Sequence, residues 1–112
     1  MPNFTQIIAP IHSQLADDPD LFELVRMFVD EMPARIEQLL CHFDSKNWGE
    51  LKSTTHKIKG TVGCYGFGDV VPAARKLEQA LKRNMPEENI RQSLVELIDL
   101  CKRMAVQSEP QS

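Results

Sequence analysis

Cysteine is scarce in this chain and poorly placed for cross-linking: there are three, Cys41, Cys64 and Cys101, an odd number with no close pair. That excludes a disulfide framework and a zinc-knuckle spacing, and leaves reduced thiols. Long apolar runs are missing too. None approaches the roughly 20 residues a membrane span requires, and Met1 to Pro10 holds no basic region followed by an apolar block. The expectation is a soluble cytoplasmic protein with no membrane contact. Positive charge is never concentrated: the formal net charge is -3, the isoelectric point is near 5.6, and the Lys and Arg residues are scattered, which argues against a nucleic-acid partner. Neither strand-like alternation nor a GxxxxGK[ST] phosphate loop is present, and the chain is too short for an added kinase catalytic domain, so autophosphorylation from ATP is not expected. Glu-x-x-His pairs, which hold metals inside helical bundles, are absent as well. Cys41 and His42 are adjacent, so on a helix their side chains diverge by about 100° and cannot form a local two-ligand site. No metal and no cofactor are expected, and His12 and His42 are read as partly exposed histidines without a task.

What the chain does contain is helical periodicity. A length of 112 residues is one domain, 1–112, with a core over about 15–106 and a polar, frayed tail at 107–112, and it buries roughly two thirds of its unfolded surface. The first helix is expected from about Asp20 to Asp44, with Leu21, Leu24, Val25, Phe28, Val29, Met32, Ile36, Leu39, Leu40 and Phe43 spaced three and four apart. Its start is signalled twice, by Asp18 with Pro19 or by Asp20 with Glu23. Pro33 falls inside it and predicts a kink or local break. A second helix is expected from Asn47 to Tyr65, stopped by Gly66 and Gly68. Asp69 is read as the cap of a third, with Pro72 in its first turn and Val70, Val71, Ala74, Leu77 and Leu81 buried; Asn84 is its stop. A fourth opens near Pro86 with Glu87 and Glu88, and buries Ile90, Leu94, Leu97, Ile98, Cys101 and Met104. Short connections make successive helices antiparallel neighbours, so the fold class is all-α, an up-and-down four-helix bundle. A short N-terminal helical piece, from Phe4 through Leu15, is expected to cap one end with Phe4, Ile7, Ile8, Ile11 and Leu15.

The second helix carries the candidate site. Leu51, Ile58, Val62 and Tyr65 form its apolar stripe, centred roughly 140° round from His56. His56 therefore stands on the open side, and within about 60° of it lie Gly49, Lys52, Ser53, Lys59, Gly60 and Gly63. Gly60 and Gly63 each cost roughly 1 kcal/mol relative to alanine in a helix interior. Their position off the stripe favours clearance for another protein over close packing of a neighbouring helix.

The segment His56-Lys57-Ile58-Lys59-Gly60, with Gly66 ten residues beyond the histidine, resembles the signature of histidine-containing phosphotransfer (HPt) domains. The resemblance extends upstream to Leu15-Ala16-Asp17-Asp18-Pro19-Asp20 and to the stretch from Phe28 to Ile36. Downstream it takes in Tyr65-Gly66-Phe67 and Ala74-Arg75-Lys76-Leu77-Glu78. It implies that His56 is the phosphoacceptor of a multistep His-Asp relay, that Lys59 assists the phosphoryl group and that Gly60 leaves room for a receiver domain. It also suggests that the region of Glu78 and Lys82, off the apolar stripe of the third helix, approaches the imidazole and orients its second nitrogen. The implied partners are receiver domains and a hybrid sensor histidine kinase, and the implied state is a monomer.

The residue types suit that chemistry. A neutral imidazole nitrogen is a nucleophile near pH 7 and can attack the acyl phosphate of a receiver aspartate, forming a phosphoramidate that later returns the group. Lys59, one turn along, can offset charge on the phosphoryl oxygens, since such transfers depend on position and electrostatics. Lys52 can steer an acidic receiver cleft, or can be a plain solvated lysine; Ser53, Gly60 and Gly63 complete the docking face. The competing reading is a non-catalytic module that docks on and inhibits a kinase or acts as a phosphate sink. An exposed histidine weighs against pure docking, which has no need of one.

Overall fold

The computed structural model describes residues 11–15 and 18–105. Of the two start signals for the first helix, the aspartate-proline pair prevails: Asp18 is extended, its Oδ1 accepts the Asp20 amide at 2.9 Å, and Pro19 opens α1, Pro19–Asp44. Helix α1 runs unbroken past Pro33. Helix α2 spans Trp48–Cys64 behind an Asn47 cap, whose side chain accepts the Glu50 amide at 3.3 Å. Helix α3, Val71–Lys82, and helix α4, Glu87–Lys102, complete the bundle. Each helix packs on its sequence neighbours and α4 closes back on α1.

Three helices end the same way. Lys46, Gly66 and Asn84 take positive φ values of 57°, 83° and 52°. The following amides, of Asn47, Phe67 and Met85, bond back to the carbonyls of His42, Val62 and Ala80 at 2.8, 2.8 and 3.0 Å. These are Schellman closures. Glycine is required at only one of them. Around Gly66 an added Cβ would stand 2.6 Å from Ser13 Oγ and 2.9 Å from the amides of Gln14 and Leu15. Lys46 tolerates its strain because its ammonium lies 5.9 Å from the Phe43 and Trp48 rings and 2.7 Å from Glu87.

The core follows the predicted stripes, with Val25, Phe28, Met32, Ile36 and Leu39 of α1 against Leu51, Ile58 and Val62 of α2 and the inner faces of α3 and α4. Three expectations need correction. Leu24 and Leu40 are 47% and 43% exposed; they sit at the two edges of the α1 stripe, roughly 80° from its centre, where the neighbouring helices no longer reach. Asp69 does not cap α3. It lies within a 3-10 turn, Gly68–Val70, that leads into α3 with no side-chain cap. Residues three apart eclipse in a 3-10 turn, so Phe67 and Val70, 1% and 0% exposed, are buried together.

The N-terminal piece is the third correction. Phe4, Ile7 and Ile8 lie outside the described residues, as does the tail at 107–112. Within them, residues 11–15 are a short strand followed by a turn rather than a helix: Ile11–His12 (β1) pairs in parallel with Met104–Ala105 (β2). Here the Ile11 amide bonds the Arg103 carbonyl at 2.7 Å, the Gln14 amide bonds the Gly66 carbonyl at 2.9 Å, and Ser13 Oγ donates to the Tyr65 carbonyl at 2.5 Å. The ends of α2 and α4 thus satisfy backbone groups that a helix would have satisfied internally. Ile11 and Leu15 do pack on the core, as expected. Among the described residues no helix is long and apolar enough to cross a membrane.

Candidate functional site

His56 sits at the middle of α2 with Ile58 and Val62, both fully buried, holding the opposite face in the core. Thr55, beside it, is also fully buried. Sequence patterning missed this, because the hydroxyl escapes the cost of burial by donating to the Leu51 carbonyl at 2.7 Å. The imidazole itself is 67% exposed.

Across from it, α3 packs along α2 and brings Glu78 to the junction. Glu78 is 3% exposed, although it lies beside the buried stripe of Ala74, Leu77 and Leu81 rather than within it. Its burial comes from α2 covering that side of α3. A buried carboxylate needs partners, and each oxygen has one. Oε2 lies 2.7 Å from His56 Nδ1 and Oε1 accepts from Lys59 Nζ at 2.6 Å. The Lys59 ammonium, first, and the His56 hydrogen bond hold the Glu78 carboxyl below its ordinary value of 4.5, against the opposing effect of burial. At neutral pH Glu78 is therefore a carboxylate and can only accept. It follows that Nδ1 of a neutral His56 carries the proton and Nε2 carries the free lone pair.

The neighbouring residues divide. Lys59 joins the site through Glu78, with its side chain 27% exposed. Lys52 and Ser53 are exposed on the preceding turn and contribute no hydrogen bond to the imidazole. Lys82 is exposed at the end of α3, and the contacts of His56 and Glu78 do not include it. A Cβ built on Gly60 meets nothing within 4 Å, and one built on Gly63 meets only Val71 Cγ2, at 3.5 Å. Neither glycine is demanded by the packing of the chain itself. Other nucleophile candidates are weaker: burial pushes the Cys101 thiol up to about 12, while Cys41 and Cys64 are exposed thiols that take no part in the hydrogen bonds of His56, Lys59 and Glu78. Among the described residues no group of three or more His, Cys, Asp and Glu side chains is arranged to hold a metal ion.

The described residues form a helical bundle in which the exposed His56 is tied from behind to a buried carboxylate, a class of fold that holds an imidazole at its surface in a fixed orientation. The comparison with protein families gives the same class. Residues 23–107, well over half of the chain, match the family model of the Hpt domain, and the chain belongs to that family, the phosphotransfer modules of His-Asp phosphorelays. Members of the family are phosphocarriers rather than kinases and interact with response-regulator receiver domains and kinases. Comparison with curated proteins and with solved structures gives no match.

Proposed function

We propose that this domain is a histidine phosphocarrier that accepts a phosphoryl group from a receiver aspartate on His56 and passes it to a second receiver. The observation that carries the reading is the hydrogen bond from His56 Nδ1 to the buried Glu78 carboxylate at 2.7 Å, which leaves Nε2 as the outward lone pair. In the forward step the Nε2 lone pair attacks phosphorus, the bond from phosphorus to the aspartyl oxygen breaks, and the electrons leave with the restored aspartate carboxylate. The product is a phosphoramidate whose ring retains the Nδ1 proton, and the Glu78 charge stabilises the positive character the ring acquires. Lys59, anchored to Glu78 at 2.6 Å, supplies a fixed cation one helical turn from the acceptor to offset phosphoryl charge.

Gly60 and Gly63 leave the approach open, and Lys52 and Ser53 form part of the surface that a receiver covers. On this reading the partners are receiver domains and a hybrid sensor kinase, the domain works as a monomer in the cytoplasm, and it has no ATP-dependent kinase activity of its own. The test is phosphotransfer from a panel of pre-phosphorylated receivers to the parent and to His56→Gln, scoring label that is acid-labile and alkali-stable. Label on the parent alone supports the carrier. A parent that binds receivers yet takes no label from any of them overturns it in favour of a docking or inhibitory module, and a labelled parent that never returns the group marks a phosphate sink.

A further inference from the structure

The outer groove between α3 and α4 has an unusual charge arrangement. Its volume is about 520 Å³, and Arg75, Lys76 and Arg83 line it with no acidic residue among the lining side chains. This is unexpected on a chain of net charge -3. Arg26, Arg35, Arg91 and Arg103 each hold a carboxylate within ion-pair distance. Arg75 and Arg83 hold none among the described residues, and both are exposed. Lys76 is engaged with Glu96 at 3.1 Å, which leaves the two guanidinium groups as the free charges of the groove. Between them the floor is made by Ala80 and Ser93, 8% and 4% exposed, and the walls by Gln79, Met85, Asn89 and Gln92.

The spacing selects the shape of the occupant. Arg75 and Arg83 are eight positions apart on one helix, roughly 12 Å at 1.5 Å per residue, which is too far for one small anion to bridge. In an extended peptide, residues four apart lie about 13 Å from one another and share a face, with the residue midway between them on that same face. We infer that this groove docks an extended acidic segment of a partner polypeptide, with carboxylates at positions i and i+4 meeting Arg75 and Arg83 and an apolar side chain at i+2 resting over Ala80 beside Met85. Each guanidinium can take its carboxylate bidentately, and the amide side chains of Gln79, Asn89 and Gln92 can meet the peptide backbone. The groove is centred roughly 130° round α3 from Glu78, so its occupation leaves the His56 face free. If the relay proposed above is the function, the groove adds a second contact to a relay partner, raising the effective concentration of that partner at the histidine without touching the reacting atoms.

The probe is a capped nine-residue peptide with glutamates at its third and seventh positions and leucine at its fifth, in an alanine-serine background, carrying a fluorescent label. Its anisotropy is titrated with the full chain and with Arg75→Ala/Arg83→Ala and Arg75→Glu/Arg83→Glu, each first shown to be folded by circular dichroism. The expected result is binding weakened about tenfold or more by the alanine pair, abolished by the charge reversal and reduced by added salt. Lysine-for-glutamate peptide does not bind, and the amide signals of Gln79, Ala80, Asn89 and Gln92 shift in the parent. Should the charge-reversed chain fail to fold, the alanine pair and the amide shifts decide. Equal binding of the lysine peptide, shifts confined to the His56 face, or the same shifts at equal affinity from inorganic phosphate alone would overturn the inference.

Discussion

Replacing Glu78 by glutamine keeps the shape of the side chain and removes its charge, which isolates what the carboxylate contributes. In the parent both oxygens accept, one from His56 at 2.7 Å and one from Lys59 at 2.6 Å. The amide retains one accepting oxygen, so one of the two donors loses its partner. A hydrogen bond to a charged group contributes roughly 1.5–3 kcal/mol. Two effects reduce the net loss. Lys59 is 27% exposed and His56 is 67% exposed, so a released donor regains water, and the neutral amide is less costly to bury than the 3% exposed carboxylate. The expected destabilisation is about 1 kcal/mol near pH 7, or about 4 °C in melting temperature for a domain of this size. The pH dependence gives a second reading. Because Lys59 and His56 hold the Glu78 carboxyl below 4.5 in the folded state, its contribution is fully present above that value and is lost as pH falls through the lower folded value. Melting curves of parent and variant at about pH 7 and about pH 3 should therefore converge on the acid side. A variant more stable than the parent at neutral pH, or a gap that does not change with pH, would refute this account of the cluster.

Three other substitutions test the neighbouring claims. Gly66→Ala puts a side chain at φ 83° and a Cβ 2.6 Å from Ser13 Oγ; a loss on the order of 3 kcal/mol in urea denaturation is expected from the left-handed backbone and the clash together, and a change below about 1 kcal/mol would contradict the closure described for α2. Gly60→Ala faces open space and should stabilise α2 by roughly 0.5–1 kcal/mol. Gly60→Trp should fold normally yet slow receiver phosphotransfer at least about tenfold, a parental rate counting against clearance. Lys59→Ala leaves the buried Glu78 with His56 alone, so it should cost about 1–2 kcal/mol and slow transfer to His56; an unaltered single-turnover rate would remove Lys59 from the phosphoryl step.

Much of the fold was legible because the helices of this chain carry their own start and stop chemistry. Asp18 before Pro19, and Gly66 and Asn84 at positive φ, act within a few residues of themselves, so local reading finds them. The α3 cap was misread because the buried demands of Phe67 and Val70 outweigh the capping preference of Asp69. The strand and turn at residues 11–15 are not legible for a related reason: their partners, Arg103 and Gly66, are distant in sequence, and no periodicity reports a pairing between segments so far apart.

By itself the sequence determined that four amphipathic helices form, which face of each is apolar, and that His56 projects from the open side of the second, because a helical wheel depends only on spacing. Only the tertiary structure decided what stands behind that histidine. Glu78 is 22 residues from His56 in sequence and lies beside, not in, its own apolar stripe. Its burial, its lowered proton affinity and the tautomer it imposes on the imidazole all arise because α2 packs along that side of α3. That Arg75 and Arg83 find no carboxylate among the described residues has the same origin, since which cations are paired depends on which helix faces meet.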